Sequence, residues 1–518
     1  MSKIRVPLAA FLLSLGPSSA WAEAPRAPTT EGAVVARAVE RNPSLKAALI
    51  QLRDADHAVA GEEARYPFTL GLSAGATRTA SPRLIQGENI VGEIYAVDGS
   101  AEVKKRLRWG TDLSVSVRSA WQNSVTPASA FQFIGLAPNG AIPTIAFAAR
   151  AGVTQPLLRG AGSEVTLAPL DAARADRSQT SRVVERTASA LVRDVRVAYW
   201  ELWYAEEVVR IQTRARDLAR EQRDQANLRV ATGSLAPADA LAFETRLATR
   251  EEDVVSAAAE VERQRVTLTS RVGTLGTGDE LGSPAEETPS SAPPPVATVE
   301  RDALASAPEL RELEAALSAA RVRQRTAGDA NRPRLDASAY VQLDGLGSAD
   351  AGAALEQLAT LGAWSAHAGL TFEAPLDGGR RRSDEGRARA AVELAEARLE
   401  ERRQEVLAQV HTALARSDGA RRRVELAEET RIRAERQLEA ERGRYATGST
   451  TALQVLQAED EARSAALRVA RARVDGETQA IALEHLAGRQ LARLAPALAP
   501  RLGSAAAPPL GAHRDARY

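Results

Sequence analysis

A six-residue segment occurs twice in this chain, and each time it closes a helical stretch too long for a compact domain. Arg229-Val230-Ala231-Thr232-Gly233-Ser234 returns 215 positions later as Arg444-Tyr445-Ala446-Thr447-Gly448-Ser449. The same offset aligns Leu241 with Leu456 and Glu244 with Glu459, giving seven identities in sixteen positions. Self-similarity at one fixed offset indicates a duplicated architecture rather than independent domains.

The stretch before the first copy runs from about Glu164 to Ala231 with Pro169 as its only strong breaker, tolerable in a first turn. A helix of that length reaches ~100 Å at 1.5 Å per residue. Thr232-Gly233-Ser234 then reads as a stop and restart, with Gly233 as the left-handed residue after the helix and Ser234 as the next N-cap. A return helix follows to about Val272, so the first long hairpin covers about 164–272. The second spans about 380–488 and turns at Gly448.

In the second long helix the residues spaced four and three apart are Val406, Val410, Ala413, Ser417, Ala420, Val424, Ala427, Arg431, Ala434, Leu438, Glu441 and Tyr445. Ten of these twelve are apolar or small, the pattern of a coiled-coil seam. Small side chains bury little area each, so one hairpin alone looks under-stabilised. Parallel copies in a symmetric oligomer would supply the missing surface.

Each hairpin is preceded by short helices and then by alternation of period two. In the first half, helices are expected from Glu31 to about Glu40 and from Asn42-Pro43-Ser44 to about Arg65. Strands then fall within about 66–157, starting with Phe68, Leu70, Leu72, Ala74 and Ala76. Residues 80–98 and 122–143 read as loops, and the alternation around Gly110 as a bend or local hairpin that adds no barrel strand. In the second half, Leu335 to Leu343 and Trp364 to Phe372 alternate within about 334–375. One apolar and one polar face per strand is the pattern of a barrel wall between lipid and water. A few strands from one chain cannot close a barrel; several chains can.

The rest of the chain sets boundaries and exclusions. Residues 1–22 read as a secretory signal, with Lys3 and Arg5 before an apolar Val6 to Leu15 and an Ala20-Trp21-Ala22 cleavage site. The first repeat is expected over 23–276, a Pro- and Ser-rich linker over 277–298, the second repeat over 299–490 and a disordered tail over 491–518. No cysteine is present and charge is balanced at 67 basic against 67 acidic residues, which excludes thiol chemistry and gives no nucleic-acid footprint. The five histidines show no metal-ligand spacing, and no glycine-rich phosphate loop opens a helix. No catalytic, cofactor-binding or metal site is expected, and the helical Glu, Asp and Arg residues read as solvated faces paired at i,i+4.

Taken in order, these features resemble the TolC-like outer-membrane efflux proteins over about residues 30–490. The resemblance rests on the repeat, on Ala198-Tyr199-Trp200-Glu201-Leu202, on the strand exits Gln155-Pro156-Leu157 and Pro375-Leu376, and on the two Ala-Thr-Gly-Ser turns. It implies a mixed α/β membrane protein, a homotrimer whose four strands per protomer form a twelve-stranded transmembrane barrel continued by a periplasmic barrel of helices. It also implies a place in the Gram-negative outer membrane, docking to a periplasmic adaptor, and an inner-membrane transporter of RND, ABC or MFS type. The cargo would be drugs and other small molecules, or proteins in a type I secretion system.

In that family the turns lie at the closed periplasmic end, and aspartates past the second turn favour cations. Those positions fall here on Gln454 and Gln457, so the acidic ring is missing. A tyrosine–aspartate tie could be kept by Tyr445 and Asp239, while the position of an auxiliary arginine holds Thr450. A periplasmic adaptor, with one hairpin and small β-domains, fits this two-hairpin chain less well. A secreted coiled coil would not need the strands.

Overall fold

The structure, a computed structural model, describes residues 29–85, 88–125, 142–276, 282–285, 295–348, 350–374 and 379–498. The expected signal segment and most of the expected tail lie outside the described residues.

The chain divides into two compact units, Met1–Arg41 with Asp194–Ser291 and Ala420–Thr478, and Asn42–Arg193 with Ala292–Gly419 and Gln479–Tyr518. In the second unit, Asn42 ends one helix and starts the next. Its Oδ1 accepts from the Leu45 backbone N–H at 3.1 Å, and Pro43 takes the first helical position, where its missing N–H costs nothing. Helix α1 thus covers Glu31–Arg41 and α2 covers Pro43–Glu63.

The chain then enters β1 (Thr69–Ile85), β2 (Glu88–Arg106), β3 (Asp112–Val125) and β4 (Ile142–Pro156). After the helices come β5 (Arg334–Ser348) and β6 (Trp364–Glu373). All six join in one antiparallel sheet in the order β1-β2-β3-β4-β5-β6. Two expectations are corrected here. Most of 80–98 is strand rather than loop, and the described residues carry six strands rather than about four, because Gly110 turns a hairpin between β2 and β3. Pro82, a loop signal in the sequence, is compatible with β1 as an edge strand, where a missing N–H need not break the ladder. The connection over 126–141 and the exit at Pro375-Leu376 lie outside the described residues.

Helices α3 (Ser163–Thr166) and α4 (Ala168–Ala231) follow, then α5 (Pro237–Val272), α6 (Val296–Ser306) and α7 (Pro308–Ala330). Short α8 (Ala351–Ala359) lies between β5 and β6, and α9 (Gly379–Ala446), α10 (Ala452–Leu486) and α11 (Gln490–Leu494) complete the order. All twelve expected seam residues of α9 are buried or half-buried, so the four-three pattern marks its packed face.

The core of the second unit gathers Val299, Leu310 and Leu317 against Val406, Val410 and Leu486. Beside it Ser189, His485 and Glu309 form a relay, with Ser189 Oγ 2.9 Å from Nδ1 and Nε2 3.3 Å from the carboxylate. Only 1% of Ser189 and 3% of His485 is exposed, so no substrate reaches the hydroxyl and the relay is a structural one. In the first unit, Tyr199 of the Ala-Tyr-Trp-Glu-Leu motif is buried and its hydroxyl donates to the carbonyls of Thr29 at 3.2 Å and Ala285 at 3.3 Å. Thr29 pairs with Pro284 as an isolated parallel bridge, so part of the expected linker is pinned to the helices.

Candidate functional site

Two features carry functional geometry, one in each unit, and the sheet is the first. Its register aligns Leu70, Val103, Val115, Ala151, Val341 and Ala366 in one row across all six strands. One residue further along, the row reads Gly71, Glu102, Ser116, Arg150, Gln342 and Ser365. Neighbouring residues point to opposite faces, so the alternation along each strand becomes two continuous surfaces.

The polar surface is internally organised. Lys104 Nζ pairs with Glu102 at 2.8 Å, the Arg150 guanidinium lies 3.5 Å from the Tyr340 ring centroid, and Tyr340 stacks on His367 at 5.1 Å. On the apolar surface of β2, Val103, Ala101, Gly99, Val97 and Tyr95 stand between Lys105 and Glu93. That nine-residue run matches the ~9–11 residues with which a tilted strand crosses a bilayer. Charge returns at both ends, where Lys105 Nζ lies 4.3 Å from the Phe68 ring centroid and Glu93 bonds Arg78 at 2.8 Å and Tyr95 at 2.7 Å.

The second feature is the end of the two hairpins. Gly233 and Gly448 adopt φ of 71° and 74°, left-handed values that glycine takes without steric penalty. The Gly233 N–H reaches the Val230 carbonyl at 3.0 Å and the Ser234 N–H the Arg229 carbonyl at 2.9 Å. In the second copy the equivalent bonds, to Tyr445 and Arg444, are 3.0 and 2.8 Å. Both turns are therefore Schellman motifs. The sequence expectation is right for Gly233 and wrong for Ser234. Its hydroxyl donates back to Arg229 at 3.1 Å, while α5 starts at Pro237 behind Ala236.

Tyr445 sits in the last turn of α9, and its hydroxyl accepts from Arg229 Nη1 at 2.8 Å. Asp239 belongs to the first turn of α5, and its side chain lies outside the described residues. Thr450 precedes α10, its hydroxyl bonded to Gln454, and Gln454 and Gln457 are both exposed. A cleft of about 370 Å³ lies beside Tyr445, lined by Gln222, Arg229, Phe243, Arg442 and Val455 among others.

Below the turns lies an ion network that the sequence reading treated only as solvated charge. Glu459, 7% exposed, accepts from Gln222 at 2.6 Å and Arg442 at 3.1 Å, with Arg246 at 3.5 Å. Asp460 is held by Arg246 at 3.2 Å and by Arg250. Burial holds the Arg463 guanidinium below its ordinary range, with Arg250 adding to the effect. The signal was present in the repeat, since Glu459 is one of its seven identities, but periodicity does not say which copy is covered. Among the described residues, no cluster of three metal-ligating side chains occurs.

No curated protein matches the chain in sequence. Residues 299–489 match the family model described as outer membrane efflux protein. The fold is similar to that of a membrane protein from Pseudomonas aeruginosa, at 17% identity and a TM-score of 0.64, covering 89% of this chain and 91% of that one. The Campylobacter jejuni CmeC outer membrane channel matches at 13% identity and a TM-score of 0.65, over 97% and 98% of the two chains. The Vibrio cholerae outer membrane protein VceC matches at 17% and 0.62, over 88% and 96%. Residues 299–489 are thus similar in sequence to the outer membrane efflux proteins, and the fold over most of the chain is similar to that of solved outer membrane channels.

Proposed function

We propose that three copies of this chain form the outer-membrane channel of a tripartite pump, which exports small molecules taken up from a periplasmic adaptor and an inner-membrane transporter. One observation carries the reading: a six-stranded sheet with an apolar and a polar face, whose edges β1 and β6 pair with no other strand among the described residues. Open edges invite pairing, and a face of unpaired apolar side chains belongs in lipid. Closing each β1 on the β6 of the next copy satisfies both demands. With six strands per chain, three copies give a barrel of eighteen strands rather than twelve, in the size range that leaves an aqueous channel. Lys104, Glu102, Arg150 and Tyr340 then face water.

In this reading the Gly233 and Gly448 turns, with Asp239, Tyr445, Thr450, Gln454 and Gln457, stand at the periplasmic entrance. The constriction at Gln454 and Gln457 carries no charge and does not select cations. Side-view electron microscopy of the detergent-solubilised protein, with mass by light scattering, tests the assembly. A trimer with a short barrel and a helical tunnel supports the reading, and a soluble monomer refutes it. Reversal potentials in a planar bilayer test the constriction. Weak selectivity is expected, rising towards cations when Gln454→Asp and Gln457→Asp are combined.

A further inference from the structure

Strand β5 outruns its neighbour, and α8 covers the excess. The last pair of β5 with β6 is Leu343 with Trp364, so among the described residues Asp344 and those beyond it meet no strand on that side. The α8 segment takes the freed backbone groups instead. The Asp344 N–H reaches the Ala363 carbonyl at 3.0 Å, and the Leu346 N–H reaches Gln357 Oε1 at 2.9 Å. Asp350 caps the helix by accepting from the Gly352 N–H at 2.8 Å. An unpaired backbone N–H is costly in hydrocarbon, so a strand end inside a membrane needs such partners.

The helix lies on the apolar side of the sheet. Gly345 and Gly347 follow Val341 and Leu343 at spacing two and share their surface. There the backbone of Asp350 and Ala354 rests where a Cβ on either glycine would stand. The row through Gly347 continues through Ile145 to Trp121, and tryptophan marks the level at which a membrane meets water. A helix facing water turns charge outward. Here Ala354 is buried against the sheet while Ala351, Ala353, Leu355, Ala359 and Leu361 are exposed. Glu356 is the one charged residue between Ala351 and Ala363. Leu361 and Trp364 of the return then line a groove of about 540 Å³ with Val115, Ala151, Val341 and Leu343 of the wall. Arg150 borders it too, but its guanidinium is turned to the polar surface, over Tyr340.

We infer that α8 lies in the outer leaflet of the membrane and that this groove seats an acyl chain of a lipid there. The inference rests on the channel reading above, in which the strand ends remote from α7 face outward. It adds a lipid contact made by a helix rather than by strands. The groove continues the surface that the reading gives to lipid, and its apolar walls suit a hydrocarbon chain and no charged ligand. A helix with an exposed apolar face at the interface plane is a known way of lying on a membrane without crossing it.

The chain has no cysteine, so a single introduced thiol carries a spin label without background. In phosphatidylcholine vesicles, labels at Leu355→Cys and Leu361→Cys are expected to collide more with oxygen than with a water-soluble nickel chelate. Leu370→Cys on the apolar wall and Ser365→Cys on the polar surface calibrate the two extremes. Labels on α8 that read like Ser365, or that neither reagent reaches because protein covers them, overturn the inference while Leu370 reading as lipid keeps the channel reading. Leu370 reading as water overturns both. The groove has its own test. Phosphatidylcholine spin-labelled on its acyl chain is expected to lose a motionally restricted lipid from each chain when Ala151→Trp fills the groove. The Leu370 label in the same variant shows that the wall has formed, and Ala151→Leu, a milder filling, covers a wall that fails to form. Restricted lipid that is unchanged with the wall in place overturns the seat.

Discussion

The Tyr445 hydroxyl accepts a hydrogen bond from Arg229 at 2.8 Å, and the same guanidinium lies 5.3 Å from the Tyr445 ring centroid. Arg229 opens one copy of the repeated segment, and Tyr445 is the second residue of the other. The contact therefore ties the end of α4 to the end of α9.

If this tie helps hold the entrance shut, removing it favours the open state. A bond between exposed groups contributes about 1 kcal/mol, so Tyr445→Phe should shift the closed–open balance roughly fivefold. Combined with Asp239→Ala the shift should be larger, read as resting conductance in a planar bilayer. An unchanged closed state would remove both residues from the gate.

Glu459→Gln should be the costliest single substitution near the turns. It removes the buried charge that faces Arg442 and Arg246, leaving Arg246 only its pairing with Asp460. Losing one partner of a buried pair costs roughly 3 kcal/mol. Glu244→Gln, at the equivalent exposed position, should change the isolated chain's stability by less than about 0.5 kcal/mol. Urea unfolding of the two variants separates the outcomes, and equal effects would contradict the network.

The Glu309 carboxyl sits at about 2, because its hydrogen bond to His485 and that ring's charge outweigh the burial that opposes ionisation. Its folded pKa is below the unfolded value of ~4.3. The stabilisation is therefore complete above ~4.3 and lost as pH falls towards 2. Melting temperature measured across that window should fall more steeply for the parent chain than for Glu309→Gln. Parallel curves would show that the carboxylate contributes nothing.

Gly345 and Gly347 let α8 lie directly on β5. An added Cβ would stand 2.0 Å from the Ala354 carbonyl oxygen at the first and 2.0 Å from that of Asp350 at the second. The obstacle is backbone, so it yields only if the helix moves, at about 1–3 kcal/mol. Gly347→Ala should release α8 and expose its alanines to elastase, and unaltered cleavage would mean that the helix is not seated there.

The long helices, their turn glycines and the seam of α9 were legible in the sequence because each depends on residues close along the chain. Period, capping and a left-handed glycine are local properties. The strand count was not legible. Pro82 and the glycines between 80 and 98 carry loop signals, and only hydrogen bonding to β2 from both sides makes strands of β1 and its neighbours. Ser234 has N-cap chemistry, but the Schellman turn gave its hydroxyl to Arg229 instead. Above all, the repeat placed Glu244 and Glu459 in the same local sequence and could not tell them apart. Tertiary packing decided between them by bringing Gln222, Arg246 and Arg442 from separate helices around Glu459, because burial depends on neighbours far away in the chain.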